Sequence, residues 1–230
     1  MREWKVALSG ETLRIRLDTQ RDHQDLLPPE IKSRNVIVDT KGYRHVIAVD
    51  DGWLVGLDFG EFGGALWWFS SDGTRSKKIS EENVVGFANT PQGILVLVGL
   101  AHLGSDSGKV LRVTDGEAGE RKLEPVADLG SAPRTFVVES PDSLIILTTR
   151  RLVRVRATGQ IERLFQTRYQ DLYPTSMALS PSGVFHVGMR HFVTRLTPTA
   201  NGYQEEWFVP TNCSTFRIRD LDCICTSRKQ

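Results

Sequence analysis

The feature that most constrains this chain is a weak repeat of short apolar strands joined by tight turns. The repeat returns at intervals of about 40–50 residues, a period typical of strand-rich blades. Its marker turns are Asp50-Asp51-Gly52, Pro91-Gln92-Gly93, Pro141-Asp142-Ser143, Pro181-Ser182-Gly183 and Asp220-Leu221-Asp222. Asp-Gly and Pro-x-Gly sequences supply the backbone angles that tight turns between antiparallel strands need. The pattern therefore predicts a β-propeller.

The number of blades follows from the strands that flank these turns. Four sets of strands run along 46–73, 84–126, 135–165 and 176–209. A fifth set combines the N-terminal strands Trp4–Leu8 and Thr12–Leu17 with the C-terminal strands Phe216–Arg219 and Cys223–Thr226. A blade made from both ends closes a ring and hides sheet edges that would otherwise aggregate.

We therefore predict an all-β fold: a five-bladed β-propeller closed by a blade shared between the N- and C-termini. Residues 1–230 are expected to form this single β-propeller domain. A two-sheet sandwich is the alternative, because short strands with regular turns suit it as well.

The strands themselves are mostly continuous apolar runs rather than alternating ones. Such runs fit a propeller, because each blade is covered on both faces by its neighbours. Trp67 and Trp68 are adjacent on one strand, so their side chains must face opposite sides. We expect both in the core. His186 lies in mid-strand within an apolar run, which predicts a hydrogen-bonded core histidine.

Charge and hydropathy exclude some classes of partner. The chain has a net charge of +1, from 29 basic and 28 acidic residues. A general polyanion-binding protein carries a basic excess, so nucleic acid is not the expected partner. Apolar runs are too short for a signal peptide or a bilayer span, which predicts a cytoplasmic protein without membrane attachment. A secreted form whose leader has been removed is the alternative.

Metal and cofactor chemistry is not indicated by the sequence. Cys213, Cys223 and Cys225 lack the spacing of a disulfide framework or a zinc site, so we expect reduced thiols that behave as small hydrophobes. Neither a Gly-x-Ser-x-Gly elbow nor a His-Glu-x-x-His motif occurs. We therefore predict no metal, no cofactor and no catalytic residues.

One segment, residues 18–44, does not fit the repeat. Pro28 and Pro29 argue against a single long helix there. A connection of this length in a compact domain is often functional. The alternative is a packed surface loop that caps the ring.

A family resemblance rests on strand–Pro-x-Gly–strand units such as residues 178–187, Ala-Leu-Ser-Pro-Ser-Gly-Val-Phe-His-Val. These units resemble repeats of the broad NHL, YVTN and gluconolactonase-like propeller group. The resemblance implies that loops between the second and third strands of each blade share one end of the ring. For lactonase-like members it also implies a divalent metal on the ring axis, for which Asn89 and Asp18 are the candidate positions.

These second-to-third loops hold the candidate binding residues. The first two blades contribute long acidic loops, and the next two contribute short basic ones. The set comprises Asp58, Glu61, Phe62, His102, Asp106, Arg150, Arg151, Arg190 and His191. A face with separated charge suits a charged partner, because complementary potential raises the association rate and fixes orientation. Charged residues are also common on exposed turns that have no binding role, and this alternative stays open.

The function that we expect is a non-catalytic binding module that grips a protein partner with its loop-bearing face. Toxin neutralisation by an immunity protein is one role of this kind. The first alternative is a metal-dependent sugar lactone or ester hydrolase, which the gluconolactonase-like resemblance implies. The second is a small-molecule sensor in which Trp53 and Phe62 line a cleft.

Overall fold

The computed structural model describes residues 2–19, 27–32, 42–116, 120–169 and 171–209. Most of these residues lie in β-strands. The helix α1 spans only Pro29–Lys32. Within the described ranges no helix is long and apolar enough to cross a membrane.

The strands form one two-stranded sheet and four four-stranded sheets within the described ranges. The two-stranded sheet pairs β1 (Arg2–Ser9) with β2 (Thr12–Thr19). The first four-stranded sheet holds β3 (Tyr43–Val49), β4 (Gly52–Asp58), β5 (Gly64–Ser70) and β6 (Ser76–Ser80). The second holds β7 (Val84–Thr90), β8 (Gly93–His102), β9 (Ser105–Asp115) and β10 (Arg121–Asp128). The third holds β11 (Pro133–Ser140), β12 (Ser143–Thr148), β13 (Arg151–Arg156) and β14 (Ile161–Gln166). The fourth holds β15 (Ser176–Leu179), β16 (Phe185–Gly188), β17 (Val193–Thr199) and β18 (Gly202–Phe208).

Every four-stranded sheet is an antiparallel meander in which strands pair in chain order. The strands predicted at Trp4–Leu8 and Thr12–Leu17 lie within β1 and β2, and each of the four predicted sets between residues 46 and 209 corresponds to one four-stranded sheet. Several observed strands extend two or more residues beyond the predicted ends. Separate successive meanders rule out the two-sheet sandwich and define a propeller-like all-β fold. The predicted strands 216–219 and 223–226, with all three cysteines, lie outside the described residues.

Contacts group the chain into two compact units. The larger unit, within residues 23–168, contains α1 and the first three four-stranded sheets. The smaller unit, within residues 1–22 and 169–230, contains the β1–β2 sheet and the fourth four-stranded sheet.

In the larger unit, the second sheet is buried on both faces. Along β8, Leu95 and Leu97 pack with the third sheet, whereas Val96 and Val98 pack with the first. This alternation arises because successive strand side chains point to opposite faces. All four side chains are buried, which explains why the sequence shows a continuous apolar run.

The adjacent tryptophans behave as the sequence predicts. Trp67 packs with Val55 in the cluster that also holds Ile31 of α1. Trp68 packs with Leu54 in the cluster between the first and second sheets. Both side chains are half-buried against these clusters, on opposite faces of the strand as predicted. Ile31 is fully buried in its cluster, so this part of segment 18–44 packs on the first sheet.

In the smaller unit, β1 makes hydrogen bonds and apolar contacts with the fourth sheet and the turns beside it. The Trp4 amide donates to Met189 O at 2.9 Å, and the Lys5 ammonium donates to Thr175 O at 3.0 Å. Val6 packs with Ala178 of β15. His186, on β16, differs from expectation: its Nδ1 is buried and has no hydrogen-bond partner among the described residues. Burial and nearby Arg195 lower its pKa, so the neutral imidazole is favoured.

Close packing of the first two sheets depends on a missing side chain. A Cβ added to Gly56 on β4 would overlap the fully buried Val84 side chain on β7. Glycine is needed here for close approach between sheets rather than for an unusual backbone angle.

We predict that Gly56→Ala lowers the free energy of unfolding by about 1–3 kcal/mol, because overpacking a dense core forces side chains out of place. Val84→Ala alone also destabilises, by removing buried methyl groups. The double variant should lose clearly less free energy of unfolding than the two single variants lose together. Equilibrium urea unfolding of all three variants measures these values. Strict additivity would contradict this packing.

Candidate functional site

The second sheet extends a two-stranded ribbon beyond its other strands. Pairing of β8 with β7 ends at Val98, and pairing of β9 with β10 ends at Lys109. Residues 99–108 then pair with each other, from Gly99 opposite Gly108 to His102 opposite Ser105. At the base of this ribbon the Gly99 amide donates to Asn83 O at 3.1 Å, and Gly108 O accepts from the Leu129 amide at 2.9 Å. The sequence analysis predicts a long loop here, between the second and third strands of this blade. Gly108 instead provides space for Pro133, which a Cβ would overlap.

The tip of this ribbon is Leu103-Gly104. Both residues have positive φ, 43° and 89°, as a two-residue hairpin turn of the I′ type requires. Glycine adopts such angles freely, but leucine does so at a cost of about 1–2 kcal/mol. The Leu103 residue is also 93% exposed to solvent. Local conformation and hydration therefore both disfavour leucine at this position.

A short 3₁₀ turn, Gly60–Phe62, lies beside the ribbon. The Glu61 carboxylate contacts the imidazole Nε2 of His102 and thereby links the turn to the ribbon. The Asp58 carboxylate accepts a hydrogen bond from the Gly60 amide at 2.8 Å. Phe62 follows Glu61 directly and is 84% exposed.

The other side of the ribbon is held by Asp106. Its carboxylate accepts hydrogen bonds from the Ala132 amide at 2.7 Å, the Thr149 hydroxyl at 2.8 Å and Arg150 Nε at 2.7 Å. Burial alone would raise the pKa of Asp106, but these donors together hold it below its usual value. Asp106 thus ties the ribbon to the third sheet.

Three predicted residues remain to be placed within their own units. Arg151 begins β13, half-buried, and its Nε has no hydrogen-bond partner among the described residues. Arg190 and His191 connect β16 and β17 in the smaller unit. The Arg190 guanidinium lies 3.6 Å from the ring centroid of Tyr173, a cation–π contact.

The predicted charges therefore meet in pairs within the larger unit. Glu61 meets His102, and Asp106 meets Arg150. Paired charges present less potential to a distant partner than separated ones. Sequence reasoning also missed Leu103, for which the Leu-Gly pair at the centre of a symmetric hairpin was the available signal.

A cleft of about 340 Å³ lies at the base of the ribbon. Its lining includes Tyr43, Asp58, Phe59, Leu100, Pro133 and Arg134. Trp53 instead packs beneath the first sheet, and Phe62 projects into solvent, so neither forms the sensor cleft predicted for them. Burial raises the pKa of Asp58, although the Gly60 amide and the Arg134 charge oppose this effect.

The metal positions implied by the family resemblance belong to the two different units. Asn89 is exposed on β7, and Asp18 is buried on β2, 3.6 Å from Arg16. Across the part of the chain that the structure describes, no group of three His, Cys, Asp or Glu residues could hold a metal ion.

Comparison with known proteins reveals likeness of fold alone. No family model and no curated protein matches the sequence. Virginiamycin B lyase from Staphylococcus aureus is similar with a TM-score of 0.44 and 15% identity, over 75% of this chain and 57% of that one. The extracellular domain of a two-component system from B. thetaiotaomicron has a TM-score of 0.49 and 13% identity, over 73% and 23%. A computationally designed protein is similar with a TM-score of 0.41 and 10% identity, over 83% of this chain and 99% of that one. The chain thus spans less than two thirds of the first two proteins.

We predict that Asp106→Ala lowers the free energy of unfolding by about 2–3 kcal/mol at pH 7, because it leaves the buried Ala132 amide without its acceptor. Asp115→Ala, which removes an exposed carboxylate from the same strand, should change it by less than about 0.5 kcal/mol. Urea unfolding of both variants tests this difference.

The cost of Asp106→Ala should also depend on pH. Since the folded pKa is depressed, the ionised carboxylate stabilises the fold above the unfolded value of 3.8, and this stabilisation is lost as pH falls further. The difference in free energy of unfolding between wild type and Asp106→Ala should therefore be smaller at pH 3 than at pH 7. An equal gap at both values would contradict the ionic contribution.

Proposed function

We propose that this protein is a non-catalytic binding module that contacts a protein partner through the ribbon tip and the adjoining 3₁₀ turn. We call residues 60–64 and 102–106, together with Arg150, the loop surface. The observation that supports the proposal is the exposure of Phe62 and Leu103, each directly following one member of the Glu61–His102 contact.

Phe62 and Leu103 are large apolar side chains, and their burial in a partner would remove apolar surface from water. Isolated exposed hydrophobic residues need no explanation, but Leu103 also occupies a left-handed backbone position that disfavours it. A residue present at a position that disfavours it in both ways suggests a gain in another state, and burial in a partner's pocket would supply that gain.

The bracing of the ribbon supports the same proposal. The Glu61–His102 contact holds one side of the ribbon, and the Asp106 hydrogen bonds hold the other. A contact surface that is already ordered loses little conformational entropy when it binds, so more of the burial energy appears as affinity.

The chemistry of the loop surface indicates what its partner presents. The partner offers apolar pockets for Phe62 and Leu103, with polar groups around them for Glu61, His102 and the half-exposed Arg150. Charges at the rim of an interface affect the rate of association more than the affinity. Neutralisation of a toxin requires a tight protein–protein contact, and we propose the loop surface for that role.

The test compares two double variants as immobilised bait. Phe62→Ser with Leu103→Ser removes both anchors, whereas Val138→Ser with Ile161→Ser removes two exposed apolar residues elsewhere in the larger unit. We expect a partner retained by wild type and the control variant to bind the Phe62/Leu103 variant at least 30-fold more weakly, as measured by calorimetry with the purified pair.

Two outcomes would contradict the proposal. One is equal affinity of the partner for both double variants. The other is the absence of any protein that wild type retains and the Phe62/Leu103 variant does not.

We also propose that residues 210–230 complete the β1–β2 sheet and so make the fifth blade of a closed ring. Three observations support this. Each other sheet has four strands, and β2 pairs only with β1 among the described strands. Ile15 on β2 is exposed. An open, partly apolar strand edge invites aggregation unless it is covered.

Truncation tests this closure. A chain ending at residue 209 should unfold at a lower temperature than wild type and self-associate, because the edge of β2 loses its cover. A chain ending at residue 226 keeps both predicted strands and should behave like wild type. Equal melting temperatures and monodisperse light scattering for the 1–209 chain would contradict the shared blade.

A further inference from the structure

The cleft at the base of the ribbon has the features of a small-ligand site. Its volume of about 340 Å³ falls within the range of ligand pockets. Tyr43 and Phe59 supply aromatic surface, and Leu100 and Pro133 supply aliphatic surface. Residues from the first, second and third sheets line the cleft, and all of them belong to the larger unit.

Asp58 places a carboxylate in this otherwise largely apolar lining. Its hydrogen bond within the described structure is the one from the Gly60 amide to Oδ1. The second oxygen, Oδ2, keeps its capacity to accept a donor. A carboxylate beside aromatic rings is the combination that recognises organic ammonium ions, through an ion pair and cation–π contact.

The fold does not need the charge of Asp58. An asparagine at this position could keep the hydrogen bond from Gly60, because its Oδ1 is also an acceptor. Burial raises the pKa of Asp58, so the ionised side chain destabilises the folded state at neutral pH. A charged group that lowers the stability of the fold is expected at a position where the charge serves binding.

We propose that this cleft binds a small organic ammonium ion that has an aromatic or branched aliphatic body. The ammonium donates to the Asp58 carboxylate, and the body packs against Tyr43, Phe59 and Leu100. The apolar anchors of the proposed protein contact, Phe62 and Leu103, do not line this cleft.

Arg134 also lines the cleft, and its charge acts on Asp58. A bound cation gains from Asp58 and is repelled by Arg134. Arg134→Gln should therefore strengthen the binding of an ammonium ligand. A zwitterionic ligand whose carboxylate meets the guanidinium would instead bind this variant more weakly, which makes the variant a direct test of ligand charge.

The experiment uses benzylammonium as the probe, with benzyl alcohol as a neutral ligand of the same shape and benzoate as an anion. Binding to the full chain is followed by isothermal titration at pH 7 and low salt. We expect benzylammonium to bind with a Kd of about 1 mM, given its small size. Benzyl alcohol should bind at least tenfold more weakly, and benzoate should not bind measurably.

Variants then locate the site. Asp58→Asn should weaken benzylammonium binding at least tenfold, whereas Asp115→Asn, at an exposed carboxylate, should leave it unchanged. Thermal unfolding of the same samples verifies folding, and Asp58→Asn should be at least as stable as wild type at pH 7. The Phe62→Ser/Leu103→Ser variant should bind benzylammonium with the affinity of wild type. A failure of the proposed protein contact can therefore be told apart from a failure of the proposed ammonium site.

The titratable and charged groups lining the cleft are Asp58, Arg134 and Tyr43. Because Asp58 ionises as pH rises, benzylammonium should bind more tightly at pH 7 than at pH 4. Equal binding of benzyl alcohol and benzylammonium, weaker ammonium binding by Arg134→Gln, or unchanged binding by folded Asp58→Asn would each overturn the proposal.

Discussion

Burial of both faces of a sheet is the constraint on which the larger unit depends. The second sheet packs Leu95 and Leu97 against one neighbour and Val96 and Val98 against the other. Neither face can tolerate a polar substitution without losing buried apolar contact. Because the sheets must approach closely, a position such as Gly56 carries no side chain at all. This dense packing supplies the rigid base from which the ribbon projects.

The ribbon shows how a rigid base can present an unfavourable tip. Its strands continue beyond the sheet, where Asp106 and His102 tie them to neighbouring sheets and turns. Without these ties a two-stranded ribbon would be marginally stable in water. Leu103 and Phe62 are thus presented by ordered backbone, and the cleft at the ribbon's base shares the same support. Two binding proposals of different chemistry therefore rest on one structural device.

The candidate site was predictable only in part. Loop positions such as Glu61, His102, Asp106 and Arg150 follow from the repeat, because turns between strands are punctuated by glycine and charge. Their pairing was not predictable. It depends on which sheets are neighbours and on a ribbon that the sequence analysis treated as a loop, and sequence spacing contains neither. The Asp58 cleft was missed for the same reason, since its lining comes from three sheets.

The sequence by itself determined the strands, their chain-order pairing and the burial of both faces. Turn residues and continuous apolar runs act locally, so each strand could be assigned without knowledge of the others. The opposite orientations of Trp67 and Trp68 follow from strand geometry alone. Only the tertiary structure decided which charges neutralise each other, where apolar side chains remain in solvent and where a cleft opens. These properties arise from contacts between residues far apart in the chain, which sheet packing brings together.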